Sequence, residues 1–208
     1  MKKLLIASAS LVVLGFGGSA AAATFPAIGA DTGPGVIITL NANGTVTLAT
    51  TGQGPYDSVE DTYIGVINNT SLSVGSIHVS STSTADGGVF AFDGDGIGDP
   101  AFNAGANALD TSNGKYGGPS AYFTNIVTVN APFSQSGTVN FIGGIAPNGG
   151  LGYFSLEGPV TASDFQNVVV GGVVPEPTSW AMMLTGFFGL GSLLRRQRRD
   201  ALAQDLRT

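Results

Sequence analysis

Cysteine is absent from the chain, which excludes disulfide frameworks, thiolate metal sites and thiol nucleophiles together. Histidine occurs once, at His78 in Ser-Ile-His-Val-Ser. Period-2 alternation puts it on the strand face opposite Ile77 and Val79, as an outward strand residue. A serine hydrolase would need that histidine as base together with a Gly-x-Ser-x-Gly elbow, and no such elbow accompanies it. Charge is scarce, at 11% of residues, and positive charge is scarcest. Between Thr24 and Val174 there are eleven acids and one base, Lys115, a balance of −10. Such a body repels phosphate backbones, so nucleic acid is not an expected partner. A sustained 3.6-residue period is also missing there, as is any repeat of solenoid or propeller length.

What remains is glycine, 32 residues of 208, and short β-branched or aromatic runs set off by Gly, Asn, Asp and Pro. The runs are 35–40, 45–50, 61–68, 75–80, 89–92, 121–130, 137–142 and 151–157. Eight such runs predict a mainly β body, an antiparallel β-sandwich or jelly roll. The clearest hairpin joins Ile37-Ile38-Thr39-Leu40 to Thr45-Val46-Thr47-Leu48 across Asn43-Gly44, a pair that tolerates positive φ. A short helical turn is expected over 162–167, with Ser163 as its cap, and Gly171-Gly172-Val173-Val174 reads as a flexible tether.

The two ends are of another character. Met1, Lys2 and Lys3, the apolar stretch 4–17 and the small residues 19–23 are the three parts of a secretory signal peptide. Ala21, Ala22 and Ala23 supply the small side chains that signal peptidase needs, and cleavage is expected after Ala22 or Ala23. At the far end come Pro175, Glu176 and Pro177, then the apolar run 180–194, then Arg195, Arg196, Arg198 and Arg199. As a helix that run of 15 residues spans about 22 Å, short of a ~30 Å hydrocarbon core. Trp180 at one interface and snorkelling arginines at the other shorten the mismatch. Apolar residues cover every face of it, unlike an amphipathic helix. The arginines place the tail in the cytoplasm and the body outside.

This tail resembles the PEP-CTERM sorting signal, and the match covers about 30 residues in three ordered parts. The resemblance implies that an exosortase, a membrane-embedded cysteine protease or transpeptidase, recognises Pro175, Glu176 and Pro177, with the arginines as the membrane stop. It further implies transient retention in the inner membrane, delivery to the outer surface or matrix, and a link to exopolysaccharide and biofilm. The segment 200–208 is longer than many such tails. The body phrases 51–57, 59–62, 65–69, 92–97 and 153–157 resemble a body type that recurs in exported proteins of this kind, which implies an extracellular β domain and no particular activity. The expected organisation is a signal peptide at 1–23, a β body at 24–170, a linker with the Pro-Glu-Pro motif at 171–177, a transmembrane sorting helix with its Arg cluster at 178–199 and a cytoplasmic tail at 200–208.

Within the body, Asp93-Gly94-Asp95-Gly96-Ile97-Gly98-Asp99 spaces three carboxylates with glycines. Hard cations want several oxygens converging from a sharply folded loop, so Asp93, Asp95 and Asp99 are candidate ligands and Ca²⁺ the natural ion. The EF-hand pattern is not matched at Ile97 or Ala104, and a solvent-facing Asp-Gly turn explains the same residues. Asp57, Glu60 and Asp61 form a second acidic group that can add ligands or pair for glycoside cleavage. Tyr56, Tyr63, Tyr116, Tyr122 and Tyr153 can stack on sugars, or can be half-buried strand tyrosines. The expectation is a non-enzymatic surface or matrix protein. A calcium-dependent carbohydrate-binding module and an exported glycan-active enzyme are the alternatives.

Overall fold

Along Val36–Leu40 (β1) the side chains of Val36, Ile38 and Leu40 are buried while Ile37 and Thr39 are half-buried, the alternation of a strand with one face on a core. The chain turns through Asn41–Gly44, where Gly44 takes φ +81° and donates its N–H to the Asn41 carbonyl at 2.9 Å. It returns as β2 (Val46–Thr50), antiparallel to β1, with Leu40 opposite Val46. Because β2 brings the chain back to the start of β1, the next strand on the far side of β1 begins at that same end. β3 (Thr62–Asn68) therefore runs parallel to β1, with Val36 opposite Ile64. The expectation of purely antiparallel pairing fails here.

The computed structural model describes residues 24–171, 173–174 and 185. Ala21, Ala22 and Ala23, the motif Pro175, Glu176 and Pro177, the apolar run apart from Thr185, and Arg195, Arg196, Arg198 and Arg199 lie outside the described residues. Among the described residues no helix is long and apolar enough to cross a membrane.

The remaining strands are β4 (Ser73–Ser81), β5 (Ala121–Asn130), β6 (Phe133–Ile145), β7 (Gly150–Leu156), β8 (Phe165–Val170) and β9 (Val173–Val174). They complete a mixed sheet in the order β2-β1-β3-β7 and an antiparallel sheet in the order β5-β6-β4-β8, with β9 also paired to β4. Among residues 24–174 as described, helix is confined to single 3-10 turns, η1 (Ala85–Gly87), η2 (Pro100–Phe102) and η3 (Ala162–Asp164). The described chain is mainly β, as the sequence predicts.

One hydrophobic cluster draws on both sheets: Ile38, Ile64, Val66 and Phe154 from the first, Ile77, Val79, Phe123, Val139 and Phe141 from the second. Phe154 is fully buried, its ring 6.0 Å from that of Phe123 and 6.4 Å from that of Phe141. A second, smaller cluster of Ile28, Tyr56, Tyr63 and Ile97 covers the other face of β3, joined by Phe25, Phe102 and Tyr153. Gly65 allows that cover to close, since a Cβ there would lie 2.5 Å from Pro34 Cγ and 2.7 Å from Phe25 Cζ.

Three local expectations are corrected. Residues 89–92 form a turn, because Gly87 and Gly88 at φ +87° and +102° break the extended run, and Val89 and Phe90 enter the core from a loop. The strand β8 occupies much of the expected helical turn at 162–167, and the cap of η3 is Thr161. Its hydroxyl and N–H engage the Asp164 carboxylate at 2.6 and 2.7 Å. Where a flexible tether was expected, Gly171 donates its N–H to the Ser76 carbonyl at 2.8 Å, and Val173 and Val174 pair with Val74 and Ser73. His78 sits as expected, half-buried between the buried Ile77 and Val79, with Nδ1 3.4 Å from the Thr138 hydroxyl.

Candidate functional site

The β3–β7 ladder sets the site. Thr62 pairs with Leu156 and Tyr63 with Ser155, so Asp61 and Glu157 flank the same end of the ladder. Alternation puts Asp61 and Tyr63 on one face of β3, and Tyr153, Ser155 and Glu157 on the corresponding face of β7, opposite the main core. Just before β3 the Asp57 carboxylate bends the chain: its Oδ1 accepts the N–H groups of Val59, Glu60 and Asp61, each at 3.1 Å. Asp57 thereby fixes where Glu60 and Asp61 emerge, as Asx-type turns do.

Two loops then close over this end of the ladder. The edge of β7 is taken by Tyr116, whose carbonyl accepts the Ser155 N–H at 2.8 Å. The glycines of the 93–99 loop allow it to lie backbone to backbone on the 112–116 loop. A Cβ on Gly114, which has φ +77°, would stand 2.5 Å from Gly96 N, and one on Gly96 would stand 2.5 Å from the Tyr116 ring. The glycine spacing therefore serves close approach, and as a consequence Asp93 and Asp95 gather around the Tyr116 hydroxyl.

That hydroxyl lies 2.6 Å from Glu157 Oε2, 2.9 Å from Asp95 Oδ1 and 3.3 Å from Asp93 Oδ1. A phenol carries one proton and can donate to one of the three, and the 2.6 Å contact marks Glu157 as the acceptor. Glu157 Oε2 also receives the Asp93 N–H at 3.3 Å. Beneath, Tyr56 Oη donates to Asp61 Oδ2 at 2.7 Å and lies 3.0 Å from the Asp95 carbonyl. Glu60, Asp93 and Glu157 each present an oxygen within 4.8 Å of the others, an arrangement able to hold a metal ion.

The charge crowding shows in the proton affinities. Burial, and then the charges of Glu157 and Asp95, push Asp61 up to about 8 against the lowering effect of the Tyr56 hydrogen bond. Burial raises Glu157, helped by Asp93 and opposed by Tyr116. Glu60 is raised by desolvation, then by Asp86. A hydrogen bond shared with Asp95, followed by desolvation, raises Asp93. Against desolvation, a hydrogen bond from Asp93 holds Asp95 below the ordinary carboxylate range. Desolvation lifts both Tyr56 and Tyr116 upward. The only lysine or arginine among residues 24–174, Lys115, directs its Nζ to the Asp110 carbonyl.

Of the predicted ligands, Asp93 and Asp95 come together, and Asp99 does not join them. Asp99 caps η2, its Oδ1 accepting the Ala101 N–H at 2.8 Å. Glu60 arrives from the second acidic group. Glu157 carried no signal in the sequence beyond its position at the end of a predicted strand. Tyr56, Tyr63 and Tyr116 are buried and present no face for a sugar, while Tyr122 and Tyr153 are half-buried. Surface hollows are lined by Gly44, Val46, Leu48 and Phe165–Val170 in one case, and by Phe90, Phe92, Ser112 and Phe123 among others in a second. Glu60, Asp93 and Glu157 line neither. No protein-family model, no curated protein and no solved structure matches the chain.

Proposed function

We propose that this chain is an exported surface or extracellular-matrix protein, handled in turn by signal peptidase and exosortase, whose β body has a structural or interaction role linked to exopolysaccharide. The observation that carries this reading is the ordered tail: Pro175, Glu176 and Pro177, then the apolar run 180–194, then Arg195, Arg196, Arg198 and Arg199. Both ends agree on orientation, since a signal peptide exports the body and the arginines keep only the tail inside. A strongly acidic body that lacks cysteine fits an exterior free of thiol chemistry and of nucleic-acid partners.

In this reading the two sheets, which share one hydrophobic cluster, are the halves of a β-sandwich. The test is the intact mass of the protein purified from exosortase-positive and exosortase-deficient strains of its host. The expected result is a chain ending near Pro177 in the first strain alone. A tail running to Thr208 in both strains would make the protein a permanent membrane-anchored one and remove the matrix role.

A further inference from the structure

The acids at the end of the β3–β7 ladder are more than a solvated patch, because one of them is sealed in. Asp61 is 0% exposed, and its Oδ1 is buried with no hydrogen-bond partner. Its carboxyl faces Asp95 and the Tyr116 hydroxyl, the group around which Asp93 and Glu157 also gather. A buried carboxyl oxygen left without a partner costs about 1–3 kcal/mol or more, so it marks a position where a proton or a positive ion is wanted. Glu157, only 2% exposed, stands beside it with the half-buried Glu60, and the exposed Asp93 gives the cluster its opening to solvent.

We propose that this end of the ladder is a binding site for a hard divalent cation, Ca²⁺ in preference to Mg²⁺, ligated by Glu60, Asp93 and Glu157 and faced from beneath by Asp61. Every donor is an oxygen, which selects hard cations over zinc or copper. The ligand oxygens lie within 4.8 Å of one another, close enough for one cation to span; Ca²⁺ accepts irregular sets of carboxylates, whereas Mg²⁺ demands near-ideal octahedral geometry and keeps most of its waters. Water completes the shell on the Asp93 side. Asp99 takes no part, so the site differs from the loop site that the Asp-Gly spacing suggests.

The test is made on the purified full chain stripped with a chelator, and its outcome does not depend on how the protein is exported. Calorimetric titration is expected to give one equivalent of Ca²⁺ with a Kd on the order of 10⁻⁴ M, as in extracellular modules, and weaker binding of Mg²⁺. The melting temperature is expected to rise by roughly 5–10 °C at a hundredfold excess over Kd. Asp93→Asn, at an exposed position that leaves the fold intact, and Glu60→Gln should each weaken binding at least tenfold. Asp99→Asn should leave binding unchanged. Absence of both heat and thermal shift at ~10 mM Ca²⁺, a hundredfold above the expected Kd, overturns the site. Parent-like Ca²⁺ affinity in both Asp93→Asn and Glu60→Gln overturns its location, and equal or tighter Mg²⁺ binding overturns the selectivity.

Discussion

Replacing Tyr116 by phenylalanine removes one oxygen from the most crowded point of the molecule and leaves the ring in place. The ring keeps its packing on Phe92, 4.5 Å away between centroids, so no cavity opens. What is lost is the 2.6 Å bond to Glu157, whose carboxylate is 2% exposed and would retain only the 3.3 Å contact with the Asp93 N–H. A hydrogen bond to a charged group contributes about 1.5–3 kcal/mol, and a buried acceptor stripped of its donor adds its own desolvation cost. The expected loss is therefore about 2–4 kcal/mol, or roughly 5–15 °C in melting temperature for a protein of this size. Urea unfolding in chelator should show a lower midpoint with an unchanged slope, since the exposed area is the same. Tyr122→Phe, at a half-buried position on β5, serves as the control and should stay within about 0.5 kcal/mol of the parent. If Tyr116→Phe also stays within that margin, the hydroxyl does not hold the acidic cluster together and the account of Glu157 is wrong.

Gly114→Ala places a Cβ 2.5 Å from two backbone atoms of the 94–96 loop at φ +77°; a loss of about 2–4 kcal/mol is expected by thermal melting, together with loss of any Ca²⁺-dependent shift. Asn68 is fully buried, and its Nδ2 donates to the carbonyls of Leu72, Ile145 and Ala146 at 2.8, 3.0 and 3.1 Å. Asn68→Ala removes these buried donors, although the Thr70 and Ser73 hydroxyls still reach the Leu72 and Ile145 carbonyls at 2.9 and 3.2 Å, and should cost about 1–3 kcal/mol in urea unfolding. Asp31 is 4% exposed, with Oδ2 buried and unpartnered; burial, then the charge of Asp57, raises it above 3.8. The folded state thus holds a proton that the unfolded chain releases, so this contribution to stability is full below pH 3.8 and is lost as pH rises through the raised value. Asp31→Asn should flatten that part of the pH–stability curve above pH 3.8, and a curve parallel to the parent's would contradict the assignment.

Elements bounded by glycine and asparagine were the most legible in the sequence. The β1–β2 hairpin, β3 and β5 stand within a residue of where β-branched alternation puts them, because local propensity and burial agree there. The run at 89–92 misled because aromatic and β-branched residues signal burial as well as strand, and Phe90 is buried from a turn whose N–H is held by Gln135 Oε1 at 2.8 Å. The parallel β1–β3 pair was hidden, since strand direction is set by which side of β1 the chain returns to, a tertiary choice. For the site, the Asp-Gly spacing pointed to Asp93, Asp95 and Asp99, and the acidic group Asp57, Glu60 and Asp61 offered further ligands. Glu157 lies 64 residues beyond Asp93 and reaches it only because β7 crosses back to β3. Asp99 looked equivalent to its neighbours in spacing until a proline at position 100 started a helical turn that claimed its carboxylate.

The pairing of β8 and β9 with β4 also has a mechanical consequence. β4 is an interior strand, held by β6 on one side and by both of the last described strands on the other. Tension applied at Val174 enters the body at Ser73, through the β9 pairing, and is carried into the middle of the five-stranded sheet, so no loose loop stretches first. Force along the strand axis loads the β8 and β9 hydrogen bonds in shear, and force across it peels them one at a time. The resistance of the sheet to a pull at Val174 should therefore depend on the direction of that pull, high along the strand axis and low across it.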